Sequence, residues 1–112
     1  MNAKLRIGCI LAMMAAAQVA IANDVRLEQC REKLKAAQKL DVLYDLKWKG
    51  ATPHVVAGPT YYKMPFDAKE GFAETVNCFL MAGKSGCLTF EIKHWREGKA
   101  YERFHMCKLR PL

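Results

Sequence analysis

The chain contains five cysteines, and their number and spacing suggest structural rather than catalytic chemistry. Loss of Cys9 with an export signal would leave four: Cys30, Cys78, Cys87 and Cys107. An even number of cysteines in a short exported domain predicts two disulfides, with three possible pairings. No C-x-x-C motif occurs, so neither a thioredoxin-like redox site nor a zinc knuckle is indicated. A cysteine nucleophile is disfavoured because its thiol is expected to be oxidised.

The three histidines lack the spacing of metal ligands. His54, His94 and His105 are interpreted as structural or surface residues, and no metal site is predicted. The alternative is a metal site that would require the fold to bring His54 to His105. The sequence also lacks a G-x-S-x-G, a glycine-rich phosphate loop and an H-E-x-x-H motif, so no cofactor or catalytic set is predicted. The enzyme alternative is a small hydrolase or other enzyme, periplasmic or secreted, with His54 or His105 in a cleft.

Basic and aromatic side chains are concentrated near the carboxyl terminus and could form a binding surface. Exposed aromatic rings beside cations stack on sugars or bases, or fill a pocket in a partner. Alternatively, these residues form ordinary cross-strand pairs or lie under a helix. The predicted binding residues, with Lys99 beside them at the hairpin tip, are Lys93, Trp95, Arg96, Tyr101, Arg103 and His105.

The amino-terminal segment has the organisation of a secretory signal peptide. Lys4 and Arg6 precede an apolar run over residues 7–17, and Ala20 and Ala22 fit an A-x-A cleavage site. The sequence therefore predicts a signal peptide at 1–22 and a periplasmic or secreted location. A retained membrane anchor is the alternative, but the apolar run is shorter than the ~20 residues that a spanning helix needs.

The remaining segment, 23–112, is predicted to be a single domain with a net positive charge. Without Lys4 and Arg6, the 18 basic residues become 16 against 11 acidic ones, which gives +5. Outside the cytoplasm this charge favours a protein partner or an anionic envelope or extracellular polymer, and it disfavours nucleic acid. Contact with a membrane is expected only transiently, through the signal peptide. The alternative is that the charge only confers solubility.

Two helices are predicted from hydrophobic periodicity. The first begins at a cap at Asn23 or Asp24 and runs to about residue 41. The second follows Pro65, with Asp67 and Glu70 as an acidic capping box, and ends near residue 82. The expected core positions are Leu27, Cys30, Leu34 and Ala37 in the first helix and Phe72, Val76, Phe79 and Leu80 in the second.

Alternating patterns predict strands at 42–49 and 54–57, with an extended segment at 60–64, and a terminal hairpin. Superposing the two apolar faces of the hairpin requires pairing 88 with 106, 90 with 104 and 92 with 102. That register leaves a three-residue loop, 96–98, in which Gly98 supplies the left-handed conformation. It places His94 on the core side and Lys93, Trp95, Tyr101, Arg103 and His105 on the outer side.

The same register places Cys87 opposite Cys107, near bridging distance. Cys30 and Cys78 are then left to join the two helices. One observation conflicts with this pairing: Cys78 lies away from the apolar stripe of its helix. Either a second element covers that side of the helix or the pairing differs.

Tyr61, the run 65–69, Cys78 and Gly98–Lys99 resemble a pattern in small exported bacterial proteins of unassigned function. The resemblance spans roughly residues 55–105 and implies export and an α+β order, but no activity and no site residues.

The predicted fold is α+β: two helices on a small antiparallel sheet, in the order α-β-β-α-β-β, braced by disulfides. The predicted function is an exported non-catalytic binding protein that uses the basic-aromatic hairpin. Besides the enzyme, the alternative is an inhibitor or effector of another protein acting through the loop at 50–65.

Overall fold

The computed structural model describes the backbone of residues 2–112 and the side chains of residues 21–112. The described chain consists of α1 (Asn2–Lys39), β1 (Leu43–Lys49), β2 (Thr52–Ala57), α2 (Phe66–Leu80), β3 (Phe90–His94), β4 (Ala100–His105) and β5 (Lys108–Pro111). A 3-10 helix, Pro59–Lys63, joins β2 to α2. The α+β class is confirmed, and β5 is a strand that the sequence analysis did not predict.

The five strands form one mixed sheet in the order β1-β2-β3-β4-β5. The prediction of a purely antiparallel sheet is wrong, because β2 and β3 are parallel and pair Val55 with Ile92 and Ala57 with His94. The other three strand pairs are antiparallel. The parallel pair arises because the chain crosses from β2 to β3 through α2 and re-enters the sheet in the same direction.

Both helices contribute to one core on one face of the sheet. Leu34 of α1 and Phe72 and Val76 of α2 are buried in the same cluster as Ile92 and Phe104 of the sheet. The predicted stripe of α2 therefore faces the core, as do Leu34 and Ala37 of α1, whereas Leu27 and Cys30 lie outside this cluster. On the outer side of α1, ion pairs form between Glu28 and Arg31 and between Glu32 and Lys35, at 3.0 and 3.4 Å.

The helix starts differ from prediction. Asn23 and Asp24 do not cap a helix, because α1 is already helical before them. Most of the predicted signal peptide, 1–22, lies outside the residues whose side chains are described, so its cleavage stays a prediction. The capping box is also wrong: Pro65 precedes the first helical residue without a side-chain bond. Glu70 instead accepts a hydrogen bond from the backbone N–H of Leu109, at 3.3 Å.

The segment before α2 is helical rather than extended. Pro59 occupies the first turn of the 3-10 helix, a position where its fixed φ is favourable and its missing N–H is not needed. This turn directs Tyr61 into the core, where its side chain is completely buried. The sequence alternation over 60–64 therefore does not represent a strand.

The hairpin register is largely confirmed. Phe90 pairs with Phe104 and Ile92 with Glu102, but a bulge after Ile92 then pairs Lys93 with Ala100. The loop consequently has four residues, 95–98, instead of three, with His94 and Lys99 hydrogen-bonded across its base. The predicted pairing of 88 with 106 is absent because residues 106 and 107 form the turn into β5.

Both predicted disulfides are formed. The Cα atoms of Cys30 and Cys78 are 6.2 Å apart, and those of Cys87 and Cys107 are 5.3 Å apart. Cys78 can lie off the core stripe because α1 packs along a second side of α2. At the end of that contact, the Arg26 guanidinium donates to the carbonyl of Gly83 at 3.0 Å.

Candidate binding site

The sheet face opposite the helices carries polar, largely exposed side chains. Along β4, the buried Glu102 and Phe104 alternate with Arg103 and His105, which are exposed. We call this surface the open face. Its cationic residues are Lys47, Lys49, Lys93, Arg103, Lys108 and Arg110, and its acidic residues are Asp45 and Glu91.

Strand register arranges these residues in rows across the sheet. One row joins Glu91, Arg103 and Arg110 across β3, β4 and β5, and Lys47 pairs with His54 on the other side of the parallel ladder. Adjacent strands lie ~4.8 Å apart, and side chains on one face of a strand repeat about every 6.8 Å. The open face therefore presents a regular two-dimensional array of charge.

The positive charge of the domain is concentrated on this array. The open face has six lysines and arginines against two acidic residues, whereas the other ten basic residues of 23–112 are opposed by nine acidic ones. The open face therefore has a net charge of +4, and the rest of the domain +1. The excess positive charge is thus local to one surface.

His54 lies within this field of cations. Its Nε2 is 3.5 Å from Oδ2 of Asp45, which also contacts Nζ of Lys47 at 3.4 Å. Burial lowers the pKa of His54, and the nearby charges of Lys49, Lys93 and Lys47 lower it further, while Asp45 opposes the shift. His54 therefore experiences a local surplus of positive charge.

A cleft of about 380 Å³ opens in the same surface between β2 and β3. Its polar lining includes Thr52 on one wall and Thr89 and Glu91 on the other, together with Lys93 and Arg103. Pro53 and Phe90 add apolar surface to the cleft. Glu91 and Arg103 are cross-strand neighbours whose charged atoms approach to 3.9 Å. The Thr89 hydroxyl and Nδ1 of His105 are hydrogen-bonded at 2.9 Å. The cleft thus combines cations, hydroxyls and one carboxylate.

The structure separates the predicted binding residues into two groups. Lys93, Arg103 and His105 lie on the open face as expected, whereas Trp95 and Tyr101 turn toward the connection before α2. There both rings contact Tyr62, with ring centroids 5.8 and 6.3 Å from its own. The bulge after Ile92 and the longer loop cause this change, because they alter the register beyond residue 92. Arg96 is exposed in the hairpin loop.

The aromatic side chains at this end stabilise the hairpin loop. His94 stacks on Trp95 with centroids 4.0 Å apart, and its Nδ1 accepts the backbone N–H groups of Arg96 and Glu97 at 3.1 and 3.2 Å. The Tyr101 hydroxyl donates to Glu97, and this hydrogen bond raises the pKa of Tyr101. Packing and hydrogen bonds within the hairpin therefore explain the positions of these rings.

A buried polar pair lies beneath the aromatic residues. The Tyr61 hydroxyl donates to Oε1 of Glu102 at 2.8 Å, and both side chains are buried. The Tyr62 hydroxyl is buried without a hydrogen-bond partner. Burial raises the pKa of Tyr62 to about 12, and burial followed by the hydrogen bond to Glu102 raises that of Tyr61 as well. Local sequence patterns do not indicate this pair, because its members are 41 positions apart.

These tyrosines predict a loss of stability at alkaline pH. Unfolded tyrosine ionises near pH 10, whereas folded Tyr61 and Tyr62 keep their protons, so above pH 10 unfolding releases protons. Their contribution to stability is complete below about pH 10 and falls as the pH rises toward 12. We expect urea titrations between pH 9 and ~11.5 to show proton release on unfolding. Tyr62→Phe should reduce that release by up to one proton; an unchanged pH dependence would contradict the assignment.

The histidines do not form a catalytic group in the described structure. His54 and His105 share the open face, but they lie on β2 and β4 with β3 between them. His94 is on the other side of the sheet, within the aromatic packing. Among the described residues, no cluster of three or more His, Cys, Asp or Glu side chains could hold a metal ion.

No helix among the described residues is long and apolar enough to cross a membrane. The two disulfides are typical of a protein that folds outside the reducing cytosol.

No protein-family model, curated protein or solved structure matches this chain.

Proposed function

We propose that this chain is an exported, non-catalytic protein that binds an anionic polymer on the open face, in the periplasm or after secretion. The observation that carries the proposal is the segregation of charge: +4 on one sheet face and +1 on the rest of residues 23–112. A surface of this kind attracts polyanions at long range and gains affinity by releasing their counterions.

The composition of the open face favours a polymer over a folded protein partner. Energetically dominant residues at protein–protein interfaces are typically buried aromatic anchors surrounded by a polar rim. The aromatic residues expected for that role, Trp95 and Tyr101, are engaged with Tyr62. What remains on the open face is an array of separated cations, which suits a chain of repeated negative charges.

The test is a salt titration of binding to heparin, used as a soluble polyanion. We expect log K to fall linearly with log salt concentration, because each polymer charge neutralised releases counterions. The double variant Arg103→Gln/Arg110→Gln removes two adjacent open-face charges and should lower the slope by up to about 2.

The matched control removes two exposed cations elsewhere. Lys63 ends the 3-10 helix and Lys84 follows α2, so Lys63→Gln/Lys84→Gln changes the net charge equally without altering the open face. Affinity and slope should remain close to those of the unmodified protein. Equal losses in the two double variants would show a response to net charge alone and contradict an open-face site.

A further inference from the structure

The cleft within the open face exists because two strands separate. β2 and β3 are paired only from Val55 to Ala57 and from Ile92 to His94. Before this ladder, Thr52 and Thr89 belong to opposite walls of the cleft. The opening therefore follows from the short parallel ladder, and it interrupts an otherwise continuous surface.

The groups lining the cleft differ from those of a simple anion site. Arg103 and Lys93 supply positive charge, and the Arg103 guanidinium has the planar fork that matches a carboxylate or sulfate. Glu91 lies beside Arg103 and brings a carboxylate that can only accept hydrogen bonds while ionised. The hydroxyls of Thr52 and Thr89 can both donate and accept.

We propose that this cleft is a subsite for one acidic sugar residue of an anionic polysaccharide. The proposal rests on the proposed function and specifies the class of polymer. A uronic acid brings both kinds of group that the cleft matches: its carboxylate pairs with Arg103 and Lys93, and its hydroxyls donate to Glu91. The volume of about 380 Å³ lies within the range of small-molecule sites.

Glu91 distinguishes this ligand from other polyanions. Polyphosphate at neutral pH offers mainly acceptor oxygens, so Glu91 repels it and gains no hydrogen bond. A sugar acid has the same kind of charge but also several hydroxyl donors near it. The carboxylate in the middle of the cation array therefore selects for a hydroxyl-bearing polyanion.

The experiment compares two soluble probes, oligogalacturonate and polyphosphate, with equal numbers of charges at the same ionic strength. Isothermal titration calorimetry on the oxidised protein gives the affinity ratio of oligogalacturonate to polyphosphate. We expect a ratio above one. Glu91→Gln should lower it about fivefold, because the loss of the negative charge relieves repulsion of both probes, whereas only the sugar loses an ionised acceptor for its hydroxyls.

A second variant tests the cleft without changing charge. Thr52→Val removes one exposed wall hydroxyl at the start of β2 and should lower the ratio about threefold. Polyphosphate can only accept from this hydroxyl, whereas a sugar can both accept from it and donate to it, so oligogalacturonate loses more. Thr75→Val is the matched control, since Thr75 lies on α2, where its hydroxyl bonds to the carbonyl of Gly71. Its ratio should not change.

The possible outcomes separate the subsite from the proposed function. A ratio above one that falls in Glu91→Gln and Thr52→Val supports the sugar subsite. A preference for polyphosphate, or a ratio unaffected by both variants, overturns the subsite while leaving polyanion binding intact. Failure of both probes to bind at low salt overturns the subsite and the proposed function together.

Discussion

Replacing Cys30 and Cys78 by serine should lower the free energy of unfolding by about 4 kcal/mol. The disulfide joins positions 48 apart, and in the chain-entropy model closing a loop of that length restricts the unfolded chain by this amount. A domain of this size typically has a total stability of only about 5–15 kcal/mol, so the loss is a large fraction of the total. Urea titration of the oxidised proteins measures the difference.

The Cys87→Ser/Cys107→Ser variant is the matched comparison. Its positions are 20 apart, so the same model gives about 3 kcal/mol. The two variants should also differ in which backbone amides lose protection from hydrogen exchange. Without Cys30–Cys78, amide hydrogen exchange should accelerate most in α1 and α2; without Cys87–Cys107, it should accelerate most around the turn from β4 to β5. The same pattern of exchange in both variants would contradict the assigned roles.

Gly83→Ala should destabilise the fold by about 3 kcal/mol through two effects at one position. Gly83 has φ +77°, in the left-handed region, where a side chain costs about 1 kcal/mol. A Cβ would also collide with the backbone carbonyl of Asn23 and lie 3.0 Å from the backbone nitrogen of Leu27. Backbone atoms of a packed helix cannot move aside easily, and overpacking adds about 1–3 kcal/mol.

Two other glycines isolate the steric part of this effect. Gly50 and Gly98 also have positive φ, at 62° and 68°, but apart from the adjacent residues no atom lies within 4 Å of the position that a Cβ would occupy. Alanine at either position should cost only about 1 kcal/mol. Thermal or urea unfolding of the three single variants gives the comparison. A loss at Gly83 no greater than at Gly50 would mean that α1 does not pack closely against the end of α2.

Sequence parity was sufficient for the central pairs of the hairpin, Phe90 with Phe104 and Ile92 with Glu102, and for the Cys87–Cys107 disulfide, but not for the loop. Phe90, Ile92 and Phe104 had to share a face, which fixed the pairing near Cys87 and Cys107 because one-residue slips invert every side chain. The parallel pairing of β2 with β3 was not predictable in this way. It depends on the position and direction in which the chain re-enters the sheet after α2, and no local pattern in 52–57 indicates either.

The missed strand β5 has a local explanation. The turn before it consists of Met106 and Cys107, with φ of 52° and 63°. Two-residue turns of this conformation are usually signalled by Asn-Gly or a similar pair, which tolerate positive φ. Without that signal, residues 108–111 did not stand out as a strand, and Lys108 and Arg110 were omitted from the predicted surface.

The candidate site was predicted in part. Lys93, Arg103 and His105 followed from the hairpin alternation, and their placement on the open face agrees with it. The positions of Trp95 and Tyr101 did not follow from the alternation, because a bulge is a one-residue irregularity that alternation cannot locate. The cleft could not be predicted from the sequence either, because it depends on the separation of strands that are distant in sequence.

The sequence separation of the two parallel strands, β2 and β3, also bears on the order in which the chain can fold. β1 with β2, and β3 with β4 and β5, are hairpin units whose ends are close in sequence, so each can form rapidly by itself. Joining them requires closure across residues 58–89, and non-local contacts of this kind form slowly. Cys87 and Cys107 belong to one unit, whereas Cys30–Cys78 depends on docking of the two helices. During maturation, Cys87–Cys107 can therefore oxidise first, before the domain is assembled.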